Sequence, residues 1–91
     1  MAIIKKKVWK EYFDLVASGK KKFDIRLGDV EINEGDTLIL EEWDNDKKDY
    51  TGRTIETTAT YVMNSKKLPF WPKEQIDKFG LQVISIELKN K

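Results

Sequence analysis

The chain contains no cysteine and no histidine. That excludes disulfides, thiol nucleophiles, zinc held by Cys and His, and every catalytic triad built on imidazole. Any catalysis falls to Lys, Asp, Glu, Tyr, Thr or Ser. Proline and glycine are scarce, at two and five of 91 residues, and no linker, repeat or low-complexity segment interrupts the sequence. No apolar run approaches the roughly 20 residues that a membrane helix needs. The opening, Met1–Lys7, has only Ala2, Ile3 and Ile4 before a lysine run, which is not the pattern of a secretory signal, so the expected location is the cytoplasm. No cofactor or metal is called for. Asp44, Asp46 and Asp49 share one loop, but a calcium loop needs a central glycine and another spacing, so a solvated turn is expected.

What is present suits one small monomeric domain spanning residues 1–91. Three Trp, three Tyr and four Phe supply large side chains for a core, within a chain that is 36% charged. The net charge of +1 conceals segregation. Met1–Arg26 holds eight Lys/Arg against three Asp/Glu, Leu27–Glu56 three against ten, and Thr57–Lys91 six against three. A nearly neutral chain with such blocks can still present a basic face.

Ile3–Val8 is β-branched and reads as a first strand. Trp9–Ser18 reads as a helix, with Trp9, Tyr12, Phe13 and Val16 on one apolar stripe and Gly19 as its left-handed stop. Lys22–Leu27 alternates, placing Phe23, Ile25 and Leu27 on one face and Asp24 and Arg26 on the other; this reads as a half-buried strand. Gly28-Asp29 and Glu34-Gly35-Asp36 are turn signals. Thr37–Trp43 reads as a strand, Asp44–Gly52 as a polar hairpin loop, and Arg53–Met63 as a long strand with Ile55, Ala59, Tyr61 and Met63 on one face. Asn64–Pro72 reads as an irregular loop in which Trp71 seals the core. Lys73–Lys78 reads as a short helix and Leu81–Leu88 as a last strand. The expected class is α+β: a small, mostly antiparallel β-barrel of five or six strands with one main and one short helix.

The segment Gly19-Lys20-Lys21-Lys22-Phe23-Asp24-Ile25-Arg26 follows the first helix directly. It resembles the ASCH family, a branch of the PUA-like barrels, whose signature there is Gly-x-Lys-x-x-Glu-x-Arg. Gly19, Lys21 and Arg26 match. Asp24 replaces the usual Glu, keeping the charge and shortening the reach. The downstream runs Thr37–Trp43 and Tyr50-Thr51-Gly52-Arg53 look like the small bacterial and phage branch of the same family. The resemblance covers nearly the whole chain and implies a PUA-like barrel with a cleft beside the first helix. It also implies either RNA binding or action on modified nucleosides, since some small members hydrolyse acetylated cytidine.

Taken alone, Asp24 and Arg26 read as a surface salt bridge, a kind of pair worth about 0–1 kcal/mol. Within the motif they read as a site, with Asp24 orienting a guanidinium that offers five donors to a phosphate or base edge. Lys21 is expected as a phosphate-contacting cation. Trp43 and Tyr50 flank the hairpin loop and are candidate surfaces for base stacking, worth about 1–3 kcal/mol per base. Arg53, in the second matching run, joins the expected nucleic-acid-binding set. The expected partner is RNA, a nucleotide or a nucleoside. The enzymatic alternative is a small amidohydrolase on an acylated nucleoside, with Lys21 as base and Asp24 beside it. Its nucleophile has to be water or a distant Thr, because the motif offers no hydroxyl. A third alternative is a protein-interaction domain without a small ligand.

Overall fold

A computed structural model describes residues 1–27, 30–64, 74, 77–78 and 80–89. Its elements are β1 (Ile3–Trp9), α1 (Lys10–Ala17), β2 (Phe23–Leu27), β3 (Thr37–Asp44), β4 (Asp49–Asn64) and β5 (Leu81–Leu88). The strands form one sheet in the order β1-β3-β4-β5-β2. The sheet is mixed. β1 runs parallel to β3, from Ile3 opposite Thr37 to Trp9 opposite Trp43, whereas β3–β4, β4–β5 and β5–β2 are antiparallel. The short loops between successive strands point to antiparallel pairing. The parallel pair arises because β1 and β3 are not successive: α1 and β2 lie between them and supply the long crossover a parallel pair requires.

The result is a half-barrel. Among the described residues its free edges are β1 and β2, which share no ladder and are bridged by a side chain described below. The core gathers where α1 lies against the concave face: Phe13 and Val16 from the helix meet Val8, Leu38, Leu40, Ala59, Ile84 and Ile86 from the sheet, with Ile32 beside them. Burial of each such side chain contributes about 1.5–3 kcal/mol. The expected short helix Lys73–Lys78 and the loop bearing Phe70 and Trp71 fall largely outside the described residues.

Three face assignments differ from the sequence pattern. The first concerns the helix stripe: Trp9 ends β1 instead of opening α1, and both Trp9 and Tyr12 are exposed while Phe13 and Val16 are buried. An eight-residue helix buries a narrower face than the four-residue stripe proposes. The second concerns β2, which is inverted: Asp24 is 4% exposed, whereas Phe23 and Ile25 are 43% and 51% exposed. Alternation defines two faces but does not say which one turns inward. The third is Tyr61 and Met63, which point outward although Ile55 and Ala59 point inward. Thr60 is an extra residue between Ala59, opposite Ile86, and Tyr61, opposite Ser85. A bulge of this kind shifts the parity of everything after it.

Candidate functional site

The motif segment is built by the end of α1. Gly19 (φ +82°) takes the left-handed conformation, its N–H donating to Val16 O at 3.0 Å. The Lys21 N–H then donates to Leu15 O at 3.0 Å, which folds the lysine run back against the helix before β2 begins. β2 next turns Asp24 and Arg26 toward the concave side. Arg26 Nε donates to Asp24 Oδ2 at 2.6 Å and Nη2 to Oδ1 at 3.2 Å, a bidentate pair whose side chains are 19% and 5% exposed. Arg26 Nη1 donates to the Lys7 carbonyl at 3.0 Å. One guanidinium therefore ties the β2 edge to the β1 edge. Three of its five N–H groups are used, and the other two have no partner among the described residues.

Around this bridge lies a cleft of about 740 Å³ that follows the seam between the two free edges. Three cations, Lys7, Lys21 and Arg26, and three aromatics, Trp9, Tyr12 and Phe23, line it. All three residues are a little under half exposed, at 45%, 49% and 43%. Lys21 Nζ sits 4.9 Å from the Phe23 ring centre and 5.6 Å from that of Tyr12. Lys7 Nζ lies 4.2 Å from the Trp43 ring centre. Cation–ring contacts of this sort hold ammonium groups beside flat apolar surfaces.

The residues singled out in the sequence divide into two groups. Lys21, Asp24 and Arg26 meet in the seam. Trp43, Tyr50 and Arg53 do not line it. Trp43 and Tyr50 pack edge-to-face beside the turn of the β3–β4 hairpin, 5.0 Å between centres at 80°. Arg53 is committed to structure: Nη2 donates to Asp14 at 2.9 Å, Nε lies 3.2 Å from Glu42 Oε1, and the guanidinium covers Phe13 at 4.8 Å. Glu42 is buried and also accepts from Thr51 Oγ1 at 2.5 Å, so this network pins the hairpin to α1. Lys7, Trp9, Tyr12 and Phe23 escape the sequence reading because their apolar or strand-edge positions suit the core equally well. Asp44 accepts from the N–H groups of Lys47 and Asp46 and so closes the hairpin turn; these bonds, that of Lys47 first, hold its carboxyl below the usual range. Among the described residues no three acidic side chains gather as a metal site, and no helix is long and apolar enough to cross a membrane.

The sequence profile of the family described as "Domain of unknown function (DUF3850)" matches residues 3–72. The chain belongs to the DUF3850 family. The DUF3850 match takes in both walls of the seam, from β1 through α1 and β2, and the hairpin. An "Uncharacterized 12.9 kDa protein in GpA 3'region" of Escherichia phage P2 is 45% identical over 56 residues, 62% of this chain. The chain spans about half the length of that relative, 50%. The crystal structure of the hypothetical protein PH0355 shares the fold of this DUF3850 chain, with a TM-score of 0.64 at 19% identity over 97% of this chain and 99% of that one.

Proposed function

We propose that the seam cleft binds a nucleotide or a short single-stranded RNA segment. The observation that carries this reading is the clamped Arg26 guanidinium, held between Asp24 and the Lys7 carbonyl with two donors left over, inside a cleft walled by exposed rings. Bases stack on aromatic faces, and clustered cations meet the phosphates. Trp9, Tyr12 and Phe23 replace Trp43 and Tyr50 as the stacking surface in this proposal. The motif adds support: Lys21 and Arg26, two of the residues that match the ASCH signature, and Asp24, which stands in place of its Glu, occupy one cleft. A cleft with three cations makes few phosphate contacts, so duplex affinity is poor and the salt slope shallow.

The test is a titration of Trp fluorescence with nucleoside monophosphates, short single-stranded RNA and DNA, and duplex. Single strands and monophosphates should bind. Arg26→Ala should abolish binding, and Tyr12→Ala, an exposed position that leaves the fold alone, should weaken it about tenfold. Lys47→Ala, on the hairpin, should change nothing. Binding indifferent to Tyr12→Ala and Arg26→Ala would sink the proposal. Turnover of acetylated cytidine, lost in Lys21→Ala, would move the seam to the amidohydrolase reading.

One observation favours the interaction-domain reading. Phe23, Ile25, Val83, Tyr61 and Met63 form an exposed apolar face across β2, β5 and β4, of the kind that marks protein contacts.

A further inference from the structure

Lys21 borders two clefts. On the far side of the Gly19–Lys22 turn lies a second concavity of about 470 Å³, between the end of α1 and β5. Half-buried Leu88 gives it an apolar floor over the core residues Val16 and Ile86, and Lys21, Lys22 and Lys89 give it a cationic rim. Gly19 borders it in open space, where a Cβ would meet nothing within 4 Å. Glu87 is the one carboxylate on the lining. The carboxyl end of a helix carries partial negative charge and repels phosphate. The lysines next to it offset that repulsion. Neither Lys22 nor Lys89 has a side-chain partner among the described residues, so their charge is available.

We infer that this second cleft is a subsite for an adjoining nucleotide, so that the ligand is a single strand of at least two nucleotides bent around Lys21. The inference rests on the reading of the seam as a nucleotide site. The base or sugar of the second nucleotide lies against Leu88, and its phosphate meets Lys22 and Lys89. The linking phosphate sits at Lys21, the one cation common to both clefts. A duplex is excluded from this arrangement, because its bases stack on one another and cannot part around the turn. The ends of the bound strand differ, since one subsite is ringed by aromatics and the other floored by aliphatics. The aromatic seam suits the more strongly stacking base.

The experiment compares adenosine 5′-monophosphate with the dinucleoside phosphate ApA carrying a 5′-phosphate, by calorimetric titration at several salt concentrations. The dinucleotide should bind at least about tenfold more tightly. Its slope of log affinity against log salt should be steeper by about 0.7 for each added phosphate contact. The double variant Lys22→Ala/Lys89→Ala, at exposed positions, should erase the dinucleotide's advantage and leave monophosphate affinity as it was. A dinucleotide no tighter than the monophosphate, or a double variant that weakens both alike, overturns the second subsite while leaving the seam reading intact. Failure of wild-type protein to bind either ligand overturns the seam reading, and this inference with it.

Discussion

Asp24 is buried with one charged partner, and Arg26 grips it by two N–H groups. A pair of this kind is poor insurance for stability: apolar replacement of both members is often neutral or better, whereas losing one costs about 3–5 kcal/mol. What the pair does supply is direction, since two parallel hydrogen bonds fix the plane of the guanidinium and aim its remaining donors. The pairing itself is legible in the sequence, because residues two apart on a strand share a face. That the face turns inward is not, because the competing triad Phe23, Ile25 and Leu27 is the more apolar. A second buried carboxylate acts on the fold alone. Asp36 accepts from the Ala2 N–H at 2.9 Å and the Asn33 N–H at 2.8 Å, tying the start of β1 to the turn before β3. These two bonds, the Ala2 bond first, hold its carboxyl below the ordinary value of 3.8. A depressed carboxyl stabilises the folded state above the unfolded value and ceases to do so as pH falls through the folded one. Asp36→Asn should therefore melt below wild type at pH 6, with the gap closing as pH drops from 4 toward 2. A gap independent of pH in thermal melts would show that the two hydrogen bonds do not depend on charge.

At the scale of elements, β2 is the strand whose polarity runs against its position. Simple pattern reasoning makes Ile25 a core residue. At 51% exposure it is closer to a surface one. Ile25→Ser should therefore change stability by only about 0.5 kcal/mol or less, the size of an ordinary surface substitution, when read by urea denaturation. A loss of several times that would mean that the outer face is covered in solution. The helix and the strands from Ile3 to Asp44 announce themselves by period and by turn residues. The bulge at Thr60 does not, since Thr-Thr-Ala-Thr-Tyr carries no glycine or other mark of an extra residue. Nor does the exposure of Trp9 and Tyr12: a ring at helical spacing looks the same whether it faces a core or a cleft, and only the neighbouring edge decides.

At the scale of the whole molecule, β1 and β2 are joined through α1 in the chain yet lie at opposite ends of the sheet order. Among the described residues β2 pairs with β5 alone, the strand at their far end. β3 and β4, by contrast, form a local hairpin. Local contacts close early, whereas pairings between distant segments wait for the loop entropy to be met. Until β5 has docked on β4, β2 has no ladder to join, and Asp24 and Arg26 have no fixed place from which to reach Lys7. Pulse-labelled hydrogen exchange during refolding should find the amides of β3 and β4 protected first and those of Phe23–Leu27 no earlier than those of β5; protection of β2 ahead of β5 would contradict this order. The seam is thus assembled last, and a partly folded chain, though it already carries every residue of the motif, has no cleft around Arg26.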